Sequence, residues 1–93
     1  MPKTKESKVI DLGEATALLT LGFQLVRLEA SNTGTHKVFI FESMHPNTST
    51  IFVDETIDSY NRRKLQVDAY SFYRSGKELK NRIHEHNELI QKN

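Results

Sequence analysis

The chain contains no cysteine, and only two prolines and four glycines among its 93 residues. Without cysteine it can form neither a disulfide framework nor a thiolate metal site. The glycines, Gly13, Gly22, Gly34 and Gly76, are too scattered for a glycine-rich phosphate loop. No apolar run approaches the roughly 18 residues of a membrane span, and the N-terminus lacks the apolar stretch of a signal peptide. We therefore expect a soluble cytoplasmic protein with no membrane partner.

A length of 93 residues suits one small domain and leaves no room for a second core. Residues 1–8 are polar and lysine-bearing, and we predict that they form a flexible N-terminal arm. Residues 9–93 are predicted to form a single compact α+β domain. A domain of this size is only marginally stable by itself, so a partner subunit would add to its core.

Residues 23–30 and 37–42 have the composition of two strands, and the residues between them are dense in turn formers. This pattern predicts a β-hairpin. Both alternating faces of residues 37–42 are apolar, and in the first strand Val26 and Leu28 face opposite to Leu25. A sheet that is apolar on both faces needs cover on both. We therefore predict that a second subunit extends or covers the sheet in a homo-oligomer, most simply a dimer.

Helical patterns lie on both sides of this hairpin. Residues 14–21 are predicted to form a short apolar helix that Gly22 can end in the left-handed conformation. Residues 43–49 are predicted to be a loop and residues 50–63 a second helix, in which apolar residues recur at spacings near four. Asp68 can cap a third helix. The predicted order is α-β-β-α-α: a short N-terminal helix, a two-stranded hairpin and two C-terminal helices.

The third helix is amphipathic, and its outer side is rich in cations. Spacings of three, four or seven predict one buried stripe, made of Phe72, Leu79, Ile83, His86 and Ile90. Tyr73 is also expected in the core rather than on a stacking surface. Residues 62–84 carry seven cations against two carboxylates, a net charge of +5, whereas the whole chain carries +1. Such a local positive field favours an anionic partner.

We predict that this cationic segment binds an anionic, nucleotide-type ligand. Arginine side chains match phosphate geometry, and tyrosine rings stack on bases. Arg74 and Lys77 lie within one helical turn of each other, so one phosphate could meet two cations. The predicted ligand-binding residues are Arg62, Arg63, Lys64, Tyr70, Arg74, Lys77 and Lys80. The alternative is a solvated helix face on which the cations pair with Glu78 or Glu85.

Five short stretches of the sequence form a recognisable set. They are Ala15-x-x-Leu18-x-x-x-Gly22-Phe23-x-Leu25, Val38-Phe39-Ile40-Phe41, Tyr60, Val67-Asp68-Ala69 and Leu79-Lys80-x-Arg82-Ile83. In these stretches the chain resembles an uncharacterised family of small proteins from phages, prophages and plasmids, known only as a domain of unknown function. The resemblance covers residues 12–84 and implies an origin in a mobile genetic element. It implies no activity, cofactor or catalytic residue.

The motifs of enzymes and metal sites are missing from the sequence. A zinc helix needs two histidines four residues apart, whereas His84 and His86 are two apart and point about 200° away from each other on a helix. The serines and threonines lack a nucleophile elbow or a convincing base. We therefore predict no metal, no cofactor and no enzymatic activity.

Three hypotheses about function remain. The first is a phage-type binding protein that engages nucleic acid, or a nucleotide sequestered from host signalling, in the host cytoplasm. The second is a factor that inhibits or modulates a host or phage enzyme through an acidic helix face, made of Asp54, Glu55 and Asp58. An enzyme is the third and least favoured. Phosphate binding weakens steeply with salt and an apolar protein interface does not, so salt dependence separates the first two.

Overall fold

Eight elements follow one another in residues 5–31 and 36–91, the part of the chain that the computed structural model describes. The α+β class is confirmed, with three helices and antiparallel strands. The order differs from the predicted one, because a strand comes first and a second small hairpin precedes the second helix. The elements are β1 Glu6–Val9, α1 Leu12–Thr20, β2 Leu25–Ala30, β3 Lys37–Glu42, β4 Met44–His45, β5 Thr48–Phe52, α2 Val53–Asn61 and α3 Ala69–Gln91.

The main sheet has three strands in the order β1-β3-β2, rather than the predicted two. Residues 6–8, assigned to the arm from the sequence, belong to β1, which pairs antiparallel with β3. A polar segment this short has little strand signal by itself, and it is ordered here by the free edge of an apolar central strand. Residues 1–4 of the predicted arm and residues 32–35 of the predicted turn lie outside the described residues.

The core lies between the inner face of the main sheet and the three helices. β3 contributes Phe39 and Phe41 to this face, and both are buried. Leu79 brings α3 onto the same cluster and is 0% exposed. The buried cluster consists of Val9, Ala15, Leu18, Phe23, Phe39, Phe41, Val53 and Leu79.

A β-bulge sets which side chains of β2 reach this core. Leu25 lies opposite Phe41 and Arg27 lies opposite Ile40, so β2 has one extra residue between them, Val26. The predicted strict alternation is therefore wrong. Leu25 and Leu28 both face the core, and Val26 is exposed. A bulge of this kind depends on pairing between strands, which the pattern of one strand does not contain.

One ion-pair network, centred on Arg27, crosses the outer face of the main sheet. Ile40 at its centre is only 1% exposed, with Lys8 and Arg27 opposite it on the flanking strands. The Arg27 guanidinium donates two hydrogen bonds of 3.1 Å to Glu6 and one of 2.8 Å to Glu29, and these bonds raise the pKa of Arg27. Because Glu6 lies on β1 and Arg27 on β2, their ion pair spans the central strand.

The burial of Ile40 bears on the predicted homo-oligomer. The prediction rests on an apolar outer face that needs a second subunit, whereas Ile40, on the central strand of that face, is already buried within one chain. Val26 on β2 stays exposed. The homo-oligomer stays a prediction.

The second helix begins later than predicted. The segment 48–52 is β5 and pairs with β4, so the predicted loop 43–49 and the start of the predicted helix 50–63 are both corrected. Threonine, isoleucine and phenylalanine dominate this segment and favour strand over helix. The N–H of Val53 then donates to the carbonyl of Ser43 at 2.8 Å, where α2 begins.

The cap of α3 is confirmed, and among the described members of the predicted stripe Leu79 is buried while Phe72, Ile83 and His86 are half-buried. The Asp68 carboxylate accepts hydrogen bonds from the Ser71 N–H at 2.9 Å and the Ser71 hydroxyl at 3.0 Å, and these bonds lower the pKa of Asp68. Leu79 is fully buried and Ile83 packs against the core. The side chain of Ile90, the last member of the predicted stripe, lies outside the described part.

Candidate functional site

The solvent face of α3 carries two exposed tyrosines, each with a cation one turn further along. Tyr70 is 63% exposed and Tyr73 is 61% exposed. The guanidinium carbon of Arg74 lies 5.9 Å from the Tyr70 ring centroid, and the Lys77 Nζ lies 5.3 Å from the Tyr73 ring centroid. Both distances are within the range of cation–π contacts. We call Tyr70, Tyr73, Arg74 and Lys77 the tyrosine–cation strip.

The helix geometry explains why the strip faces water. Tyr70 precedes Leu79 by nine residues, which is half a revolution beyond two full turns, so the two side chains leave the helix on opposite sides. Tyr73 was predicted in the core, and that prediction is wrong. Counting back from Leu79 places Tyr73 about 120° from the buried direction, a signal already present in the sequence.

A shallow depression of about 390 Å³ follows the strip. Its only described carboxylate is that of Glu78, which pairs with Arg82 at 3.3 Å. Within residues 5–31 and 36–91, no carboxylate lies within ion-pair distance of Arg74, Lys77 or Lys80. The predicted alternative therefore holds at Arg82, which pairs with Glu78, whereas Arg74, Lys77 and Lys80 are exposed cations without such a partner in this part of the chain.

The predicted binding residues divide into separate groups. Tyr70, Arg74 and Lys77 lie together around the depression, and Lys80 is exposed one turn beyond Lys77 without lining it. The other three follow α2. Arg62 pairs with Asp58 at 3.1 Å, Lys64 is exposed, and Arg63 lines a different concavity.

That second concavity is a groove of about 690 Å³ between α1, the end of α2 and the start of α3. We call it the interhelical groove. Its walls are mostly apolar, and Tyr60, Asn61 and Arg63 supply its polar groups. The lining residues are Ala17, Tyr60, Asn61, Arg63, Leu65, Val67, Ala69 and Phe72.

Two contacts position the end of α2 on α1, and so set the shape of the groove. The Tyr60 hydroxyl packs so closely on Gly13 that a Cβ at Gly13 would overlap it. The Asn61 side-chain amide donates to the Glu14 carboxylate at 3.1 Å. Sequence analysis missed this groove because its wall on α1, Ala17, lies more than forty residues before the rest of the lining, which falls within residues 60–72.

Arg63 has an unusual backbone conformation, with φ at 61°. It is the left-handed residue of a Schellman motif, in which its N–H donates to the Tyr60 carbonyl at 3.0 Å and the Lys64 N–H donates to the Ser59 carbonyl at 2.9 Å. Glycine is usual at this place, and a residue with a Cβ costs roughly 1–2 kcal/mol more there. The same motif ends α1, with Gly22 at the corresponding position and φ at 97°.

Comparison with known proteins identifies the family. One family matches residues 4–85 of the chain. The chain belongs to DUF5659, a domain of unknown function. This confirms the predicted resemblance to a domain of unknown function. The DUF5659 range contains both the tyrosine–cation strip and the interhelical groove. Searches of curated proteins and of solved structures found no match.

The histidines of this DUF5659 member do not converge. His84 pairs with Glu88 at 3.0 Å, and the Nδ1 of His86 lies 2.9 Å from the Nζ of Lys37. Across the described residues, no three His, Asp or Glu side chains are grouped so that they could hold a metal ion.

None of the described helices of this DUF5659 member combines the length and the apolar character that crossing a bilayer needs.

Proposed function

We propose that this protein is a non-enzymatic binding protein for an anionic, nucleotide-type ligand, either nucleic acid or a nucleotide sequestered from host signalling. The tyrosine–cation strip is the proposed contact surface. The observation that carries the proposal is the pairing of exposed tyrosine rings with cations that have no carboxylate partner in the described chain.

The chemistry of the strip suits bases and phosphates together. An exposed tyrosine offers a flat apolar face, and stacking of a base on such a ring contributes about 1–3 kcal/mol. Arg74 and Lys77 are one turn apart, and Lys77 and Lys80 likewise, so phosphates along one side of the helix meet successive cations. A base that stacks on either ring would displace the cation from the ring face that it lies over, and the released cation could then meet the phosphate.

The setting of this activity is part of the proposal. We propose an origin in a phage or another mobile element, so that the ligand is met in the cytoplasm of the host. Arg62, Arg63 and Lys64 would add to the positive field on the approach to α3. A homodimer, if formed, would present the strip twice and could bind a longer polymer.

A protein-interaction factor is the second candidate, favoured by an exposed patch on the small hairpin. Met44 and Phe52 face each other across β4 and β5, and both side chains are exposed. Asp54 and Glu55 follow in the first turn of α2. An apolar patch beside two carboxylates suits a partner with apolar and basic side chains.

The test is a calorimetric or fluorescence titration with single-stranded DNA, duplex DNA, RNA and a panel of linear and cyclic nucleotides. We expect binding below about 100 µM at low salt that weakens steeply as salt is added. The double variant Lys77→Glu, Lys80→Glu should abolish it.

The matched control is Lys5→Glu, Lys8→Glu, which changes the net charge equally at β1 and the residue before it, away from α3, and should bind nearly as the parent does. Absence of binding to every ligand, or equal losses in the two double variants, would rule out the strip as the site. Binding of a protein partner that is insensitive to salt and lost in Phe52→Ser would favour the second candidate.

A further inference from the structure

We propose that the interhelical groove is a separate binding site for a small organic anion with an apolar body, and that Arg63 is its anionic-group anchor. This inference goes beyond the proposed function, because it uses a different surface from the tyrosine–cation strip. It rests on the groove's size and walls, on the conformation of Arg63 and on the charge of its surroundings.

The size and lining of the groove match a small-molecule site. Its volume of about 690 Å³ is within the range of ligand pockets, which are mostly apolar with a few placed polar groups. Leu65, Val67 and Phe72 are half-buried and form apolar walls that a ring or short hydrocarbon could cover. The polar groups come from a short stretch at the end of α2, including the Tyr60 hydroxyl.

The conformation of Arg63 is the second observation. The chain uses Gly22 to end α1 and Arg63 to end α2 with the same hydrogen-bonded motif. The motif itself works better with glycine, so the turn does not explain why an arginine stands at position 63. Its side chain lines the groove, and a role for the guanidinium in that groove would account for an arginine at a position that favours glycine.

Charge complementarity decides the class of ligand. No described carboxylate pairs with Arg63, and the groove lining contains no acidic side chain; the Glu14 carboxylate lies outside the lining, where it accepts a hydrogen bond from the Asn61 amide. A guanidinium beside apolar walls matches a molecule that joins a carboxylate, sulfonate or phosphate to an apolar body. The groove is also held open before any ligand arrives, because Asn61 bonds to Glu14 and Tyr60 packs on Gly13.

The experiment uses two dyes of similar shape and different charge. The anionic probe is 8-anilinonaphthalene-1-sulfonate, and the neutral probe is N-phenyl-1-naphthylamine. We expect the parent protein to bind one equivalent of the anionic dye. In Arg63→Gly the affinity for the anionic dye should fall about tenfold, whereas the affinity for the neutral dye stays within about twofold.

Three further variants make the result specific. Arg63→Gly should also raise Tm by about 4–8 °C, because glycine fits the left-handed position, so lost binding cannot come from unfolding. Lys64→Gln removes the neighbouring cation, which does not line the groove, and should leave both affinities within about twofold. Ala69→Trp places a large ring over the groove and should weaken both dyes.

Several outcomes would overturn the proposal. The affinity for the anionic dye could be unchanged in Arg63→Gly, or could fall as much in Lys64→Gln as in Arg63→Gly. Both dyes could also bind Ala69→Trp as tightly as they bind the parent. Release of dye as the protein concentration rises would assign the groove to a second copy of the chain instead. The Lys77→Glu, Lys80→Glu variant should keep dye binding, so this site and the tyrosine–cation strip can fail independently.

Discussion

Alanine substitutions at three glycines should change the free energy of unfolding in different directions, lowering it at two positions and raising it at the third. Gly22 has φ at 97°, a conformation that residues with a Cβ rarely adopt. At Gly13 an added Cβ would overlap the Tyr60 hydroxyl. At Gly76, inside α3, the nearest outside atom to an added Cβ is the Thr16 Cγ2 at 3.7 Å, which is an ordinary contact. We therefore expect Gly13→Ala and Gly22→Ala to destabilise and Gly76→Ala to stabilise.

The magnitudes follow from the backbone and from the space at each site. In Gly22→Ala the left-handed conformation costs roughly 1–2 kcal/mol. The new Cβ would also lie 3.0 Å from the His45 Nε2, which is held 2.7 Å from the Leu21 carbonyl oxygen and has little freedom to move away. In Gly76→Ala the helix gains about 0.8–1.0 kcal/mol. For a domain of this size, 1 kcal/mol shifts Tm by about 4–8 °C.

Thermal and urea unfolding, followed by far-UV circular dichroism, would measure all three variants. Gly22→Asn is the matched control, because asparagine tolerates positive φ and should lose less stability than alanine does. The reasoning would be refuted if Gly76→Ala lowered the free energy of unfolding as much as Gly22→Ala. Equal losses in Gly22→Ala and Gly22→Asn would show that φ is not the cause.

Three other predictions concern α3. Leu79→Ala should lower the free energy of unfolding by about 2–5 kcal/mol, because the side chain is 0% exposed; a loss below about 1 kcal/mol in urea melts would contradict its place in the core. The double variant Tyr70→Ala, Tyr73→Ala should leave stability within about 1 kcal/mol while weakening single-stranded DNA binding; unchanged affinity in a titration would exclude stacking on these rings. The folded-state pKa of Asp68 is below its ordinary value of 3.8, so its contribution to stability is present above that pH and is lost as pH falls through the lower value. Asp68→Ala should therefore have a Tm a few degrees below the parent at pH 7, and melts near pH 2 should show this gap narrowing; a constant gap would exclude the linkage.

The sequence by itself determined the features whose causes are local. The Asp68 cap needs only a carboxylate three residues before a free N–H, and the end of α1 needs only a glycine that accepts positive φ. Strand β3 lies at residues 37–42 as predicted, because a short apolar run between turn formers is typical of a buried strand. The grouping of Tyr70, Arg74 and Lys77 follows from helical spacing alone.

The tertiary structure decided everything that depends on pairing between distant segments. β1 is a strand only because β3 offers it an edge, and the bulge at Val26 exists only in register with β3. The ion pair between Arg27 and Glu6 joins strands that are far apart in sequence. The groove that Arg63 lines forms only when α1, α2 and α3 meet. Local propensity carries no information about such contacts, because they stabilise the fold only once the intervening loops have closed and the entropy cost of closure has been met.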